Sequence, residues 1–189
     1  MPMFQWNHHF SSRPEVIWPL VSDMQRMEEA VGMPAVEFSS VPTATGETRL
    51  HGETRQLGMR LKWHEKPFEW VAPHYYRIER VYPKGPLKSA VSTVTLAATA
   101  NGTQLLQTMQ VEGRNVFGNL LTWIVVGWDM RRQFLAAYRR IDEQLAMAKE
   151  IITIAARPAR SPVHRARLKL LARRLASTVD PDLAQLIIA

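Results

Sequence analysis

The sequence predicts an α+β domain in which a curved antiparallel sheet of about seven strands wraps around one long C-terminal helix. Three observations predict it. Residues 35–113 form a succession of short runs that alternate apolar and polar side chains between turn residues, the period of half-buried strands. Residues 116 to about 155 read as a single long helix. Two short helices stand between a first strand and the remaining strands.

The elements follow in order. "MFQWNHHF" (3–10) sets Phe4, Trp6, His8 and Phe10 against Gln5, Asn7 and His9, a period of two. In "SSRPEVIW", Ser12 is placed to cap a helix, Pro14 suits its first turn, and Glu15 completes a capping box. That helix turns Val16, Ile17, Leu20 and Val21 inward, and a second (24–31) ends at Gly32 before Pro34. Strands are expected at 35–41, 48–56, 59–66, 74–82, 87–100 and 104–113, with a hairpin at Asn101-Gly102. The long helix is apolar nearly all round at first (Leu120, Leu121, Trp123, Ile124, Val125, Val126, Trp128), which predicts cover on both sides. It then narrows to a stripe of Phe134, Leu135, Tyr138, Ile141 and Leu145.

"ARPARSP" (156–162) breaks that helix and reads as a linker after a domain of residues 1–155. Residues 163–189 read as a basic helical tail: "VHRARLKLLARRLAST" is amphipathic, and Asp180 with Pro181 opens a further helix. The tail stops inside the apolar run "LIIA", which predicts the beginning of a truncated second domain.

Composition excludes several functions. At 189 residues and 46% hydrophobic content, the chain holds one sizeable core. It contains no cysteine, so disulfides, thiolate metal sites and cysteine nucleophiles are ruled out, in keeping with a reducing cytoplasm. The N-terminus lacks the parts of a signal peptide. The apolar run 115–128 stops at Asp129, short of the roughly 20 residues of a spanning helix. A soluble, cytoplasmic protein is expected. The net charge of +7 is concentrated in the tail, where Arg157 to Arg174 carry seven Arg or Lys and no acid. This reads as a solvated helix face or a surface for an acidic neighbour rather than a nucleic-acid site.

The stretch "WHEKPFEW" (63–70) gathers a histidine and two carboxylates between tryptophans. Alternation places Trp63 and Glu65 on the face of Met59 and Leu61, toward the helix, and His64 on the solvent face with Arg60, Lys62 and Lys66. A buried Glu65 requires a partner, and Arg80, on the Tyr76/Ile78/Tyr82 face of the next strand, is the foremost candidate. Two other readings stay open, a solvent-facing Glu65 at a strand end and a catalytic one. His8 and His9 face opposite ways, and His51, His64 and His74 lie on different strands among basic residues. No metal-ligand spacing, G-x-S-x-G elbow or phosphate loop occurs, so neither metal nor cofactor is expected. Gly113 and Gly118 flank the joint between the last strand and the helix, where glycine's freedom suffices as a reason.

The order of elements is that of a helix-grip fold. With the opening strand and "SSRPEVIWPLVSDMQRM", "WHEKPFEW", "YYRIERVYPKGPL" and "NGTQLLQTMQVEG", residues 3–150 resemble the SRPBCC (START-like, polyketide-cyclase-like) superfamily. That superfamily shares a cavity rather than a chemistry, so the resemblance implies a hydrophobic or aromatic small molecule, or a lipid, held between sheet and helix. Trp63, Glu65, Tyr76, Arg80, Trp123 and Trp128 are the cavity candidates, with no catalytic residue among them. "RLKLLARRLASTVDPDLAQL" (167–186) is similar to the linker helices after START-like modules of bacterial class III adenylate/guanylate cyclases. This implies a non-catalytic regulatory module in signalling, its partners being downstream cyclase domains of the same chain and a second copy in a homodimer. The rival expectations are a small cyclase/dehydratase-like enzyme using Glu65 or a cavity tyrosine, and a lipid carrier whose tail docks on anionic membrane.

Overall fold

The computed structural model describes residues 2–42, 48–56 and 58–155 together with Leu170. The linker expected at 156–162 and the tail at 163–189 fall, Leu170 apart, outside these residues. Two compact units divide the chain, Met1–Ala137 and Tyr138–Ala189.

The elements are β1 (Met3–Phe10), α1 (Pro14–Val21), α2 (Met24–Ala30), β2 (Glu37–Pro42), β3 (Thr48–Gln56), β4 (Met59–Glu65), β5 (Glu69–Val71), β6 (Tyr75–Val81), β7 (Leu87–Thr99) and β8 (Gly102–Gly113). The long helix follows as α3 (Val116–Ile124), a π-helical stretch (Val125–Met130) and α4 (Arg131–Ala155). The sheet runs β1-β8-β7-β6-β4-β3-β2, with β5 beside β6, and every pairing is antiparallel. This is the α+β helix-grip arrangement, with one strand more than the alternation announces. The addition is β5, whose three residues are too few to show a period.

Burial follows the pleat. Phe4, Trp6 and Phe10 of β1, Leu61, Trp63 and Glu65 of β4, and Val94 and Leu96 of β7 are buried, while their neighbours in sequence point outward. The outer face carries exposed ion pairs, Glu53 with Arg60 and Lys62, and Glu79 with Lys66 and Arg77. Such pairs add little stability; the apolar inner face supplies it, at about 1.5–3 kcal/mol for each large side chain removed from water.

Four local expectations are corrected. Ser12 does not cap α1: Arg13 holds the cap position without a side-chain bond, and the Ser12 carbonyl accepts from the Thr103 hydroxyl at 2.6 Å. The β7–β8 hairpin turns at Ala100 and Asn101, because Gly102 is already paired with Thr99, at φ 143°. Gly113 and Gly118 are required by close approach rather than by backbone freedom. A Cβ on Gly118 would strike the Pro86 carbonyl, and one on Gly113 would strike Asn119 and Gly118. Finally, the first part of the long helix is covered on one side only. Thr122 and Val126 are buried, whereas Phe117, Leu120, Trp123, Ile124 and Trp128 are each more than half exposed.

Candidate functional site

Within the first unit, a cavity of about 130 Å³ lies between the inner face of β4, β6, β7 and β8 and the helices α2 and α3. Its walls are soft. Six methionines line it (Met24, Met27, Met33, Met59, Met109 and Met130), and unbranched thioether chains shift easily to fit a guest. The helix contributes Leu121, Thr122, Val125 and Val126. Asn115 sets the helix in place by accepting from the Gly118 amide at 2.8 Å, and the bare Cα of Gly118 lets it approach Pro86.

Glu28 and Arg80 are the charged residues in this lining. Arg80 arrives on the inward side of β6, where pairing brings it opposite Glu65. Its Nε donates to Glu65 Oε1 at 2.9 Å, and its Nη2 meets Glu28 Oε1 at 2.6 Å. The Trp63 indole N–H also donates to Glu65 Oε1, at 3.2 Å. The guanidinium lies 4.8 Å from the centre of the Trp63 ring, a cation–π contact. Gly52 opposite Trp63 makes room for that indole, since a Cβ there would occupy the ring's place.

Burial shapes the protonation of this cluster. Burial works against the Arg80 charge, but Glu28, then Tyr82 and Glu65, hold it above the ordinary arginine value. Burial pushes the Tyr82 phenol up to about 12, with Arg80 opposing and the two carboxylates adding. Burial raises Tyr76 further, helped by Glu28. Both tyrosines are therefore neutral hydroxyls. Tyr76 donates to the Val21 carbonyl at 3.2 Å, while the Tyr82 hydroxyl makes no hydrogen bond among the described residues.

The residues singled out from the sequence divide into three groups. Tyr76 and Arg80 line the cavity. Trp63 and Glu65 stand behind Arg80, holding it through stacking and hydrogen bonding. Trp123 and Trp128 do not line it: they lie on the opposite side of the helix, 60% and 68% exposed. There Trp123 meets the edge of Phe4, and Arg132 lies over Trp128. Because the helix is apolar on every side, its composition gave no phase. Glu28 is the site residue that sequence reading passes over. Met24, Met27 and Glu28 stand at i, i+3 and i+4 on α2, so helical spacing places the carboxylate on the methionine face. No group of three or more His, Asp or Glu is placed to hold a metal ion among the described residues.

Residues 6–146 match the family described as polyketide cyclase / dehydrase and lipid transport. The chain belongs to that family. Solved structures agree on its fold. A protein from Thermus thermophilus is similar at 18% identity and a TM-score of 0.52, over 75% of this chain and 95% of its own. The di-domain ARO/CYC StfQ from the steffimycin biosynthetic pathway is similar at 9% identity and a TM-score of 0.56, over 76% of this chain and 51% of its own. The Zhui aromatase/cyclase from Streptomyces sp. R1128 is similar at 11% identity and a TM-score of 0.52, over 74% and 95%. No curated protein matches the chain. No helix among the described residues is long and apolar enough to cross a membrane.

Proposed function

We propose that the domain is a non-catalytic binding module that takes a hydrophobic or aromatic small molecule into the cavity between sheet and helix. The carrying observation is that cavity itself, with methionine walls and a single charged pole. Its 130 Å³ is close to the roughly 150 Å³ of an engineered apolar cavity that accepts benzene, so one ring is the natural size of guest. Against a catalytic role for Glu65, its carboxylate is engaged with both Arg80 and the Trp63 indole. A general base needs an oxygen within reach of the proton it takes; Glu65 is turned to Arg80 instead. The enzyme reading, a small cyclase or dehydratase, draws on the family description and on the unbonded Tyr82 hydroxyl.

The regulatory part of the proposal is that ligand occupancy is reported to cyclase domains further along the same polypeptide. Its support is the resemblance of residues 167–186 to cyclase linker helices. A homodimer belongs to the same reading, with the bare side of α3 as the surface a second copy would cover.

Native mass spectrometry of the protein as purified, repeated after denaturation, tests the binding role. A small mass released on denaturing is the expected result and gives the chemical class of the ligand. An unliganded protein that also fails to take up added ethylbenzene would end the proposal. The native spectrum reads the oligomeric state at the same time.

A further inference from the structure

The charged pole of the cavity is not neutral. Arg80 is a single guanidinium set between two carboxylates, with side-chain exposures of 12% for Arg80, 9% for Glu28 and 3% for Glu65. One positive group against two negative ones leaves a formal excess of one negative charge where water is scarce. An uncompensated charge is far costlier there than at a surface, and an incoming cation interacts correspondingly more strongly.

The three members are not equally available. Glu65 lies behind the wall, held by Arg80 and Trp63. Glu28 is in the wall, and its ion pair with Arg80 runs through Oε1. Its second oxygen bonds nothing among the described residues. Beside it the Tyr82 hydroxyl, also in the wall, is without a hydrogen-bond partner, and the Tyr76 hydroxyl, already donating to Val21, retains its lone pairs as acceptors. The pole therefore offers three oxygens able to accept.

Resting on the binding role proposed above, we infer that the ligand is an aromatic or aliphatic amine whose protonated nitrogen seats between Glu28, Tyr82 and Tyr76, and that carboxylates are rejected. The ammonium supplies the missing positive charge, and its N–H groups match the free acceptors. A carboxylate of equal size would bring a second excess negative charge. It would meet Glu28 and Glu65 at the same moment as the remaining N–H groups of Arg80. The apolar remainder of the guest lies against the methionines and Val126 in either case, so the hydrophobic contribution is shared and the polar end decides.

Three probes that share a phenyl ring and a two-carbon chain separate this inference from the binding role: ethylbenzene, 2-phenylethylamine and phenylacetate, titrated into the full chain at neutral pH and followed by amide chemical shifts. Ethylbenzene reports the cavity alone. The amine is expected to bind about tenfold or more tightly than phenylacetate. Glu28→Gln, which keeps an acceptor for Arg80 but removes the excess charge, is expected to reduce that ratio to threefold or less (about 0.6 kcal/mol). Phenylacetate binding as well as the amine, with ethylbenzene bound, overturns the charge inference and leaves the cavity intact. A ratio unchanged in Glu28→Gln also overturns it. If ethylbenzene fails to bind, the binding role itself falls, and the inference with it.

Discussion

The helix from Val116 to Met130 has two apolar sides with opposite fates. Leu121, Val125 and Val126 face the cavity, and Thr122 is buried with its hydroxyl donating to the Gly118 carbonyl at 2.8 Å. Phe117, Leu120, Trp123, Ile124 and Trp128 are at least as apolar and stand more than half exposed. In the isolated chain the second set gains little from folding, because removal from water, not apolar character, provides the stabilisation. Hydrophobicity alone cannot say which side of such a helix is the core; the joint at Gly113 and Gly118 does, by fixing the rotation at which α3 meets the sheet.

Four tests would break or sharpen that contrast. The largest effect is expected where the inner side looks onto the charged pole. Arg80→Met strands two buried carboxylates and should cost about 3–5 kcal/mol in urea unfolding; a loss under about 1 kcal/mol would mean that the pole is already wet. Next comes a matched pair across the helix. Val126→Gln places an amide against an apolar wall and should cost about 2–4 kcal/mol, whereas Trp128→Gln should stay within about 1 kcal/mol of the parent. Equal losses by calorimetry would erase the distinction between the sides. Gly52→Ala, far from the helix, displaces the Trp63 indole and should cost about 1–3 kcal/mol, with a shift in tryptophan emission that Ala at exposed Gly58 does not produce.

The smallest effect is alkaline. The folded pKa of Tyr82 lies above its unfolded value of 10.0, at about 12, so the folded state keeps its proton longer. That contribution is complete below pH 10 and is lost as pH rises through 12. Tyr82→Phe should therefore flatten the fall in stability between those values without touching the neutral range. An unaltered alkaline slope would place the Tyr82 hydroxyl in water.

Much of the site is legible in strands and little of it in helices, for a physical reason. A strand has only two faces, so the alternation of β4 and β6 assigns Trp63, Glu65, Tyr76 and Arg80 to one side from sequence alone. A helix has a full circle. Where polar residues mark one arc the phase is readable, as Met24, Met27 and Glu28 show in retrospect; where none do, as at 116–128, Trp123 and Trp128 cannot be distinguished from Val125 and Val126. Ser12 fails as a cap for another reason: the first turn closes on the Arg13 carbonyl, which accepts from the Val16 and Ile17 amides, while the Ser12 carbonyl is held by Thr103, a partner 91 residues away that no local pattern announces. The family assignment needed none of this detail, since it rests on the match of residues 6–146 to the family as a whole.

The sheet order has a consequence for how the chain is born. β1 pairs with β8 from Met3↔Gln110 to Phe10↔Thr103, and its Trp6 indole donates to Gln107, 101 residues later. At synthesis rates of about 5–20 residues per second, the first strand, with Phe4, Trp6 and Phe10, leaves the ribosome roughly 5–20 s before its partner exists. No earlier strand can satisfy its backbone in the native arrangement. Closure of the sheet must wait for β8, and such dependence on distant contacts slows folding. The N-terminal strand is thus an apolar segment held in reserve, which makes this stage of synthesis the one at which a chaperone has most to protect.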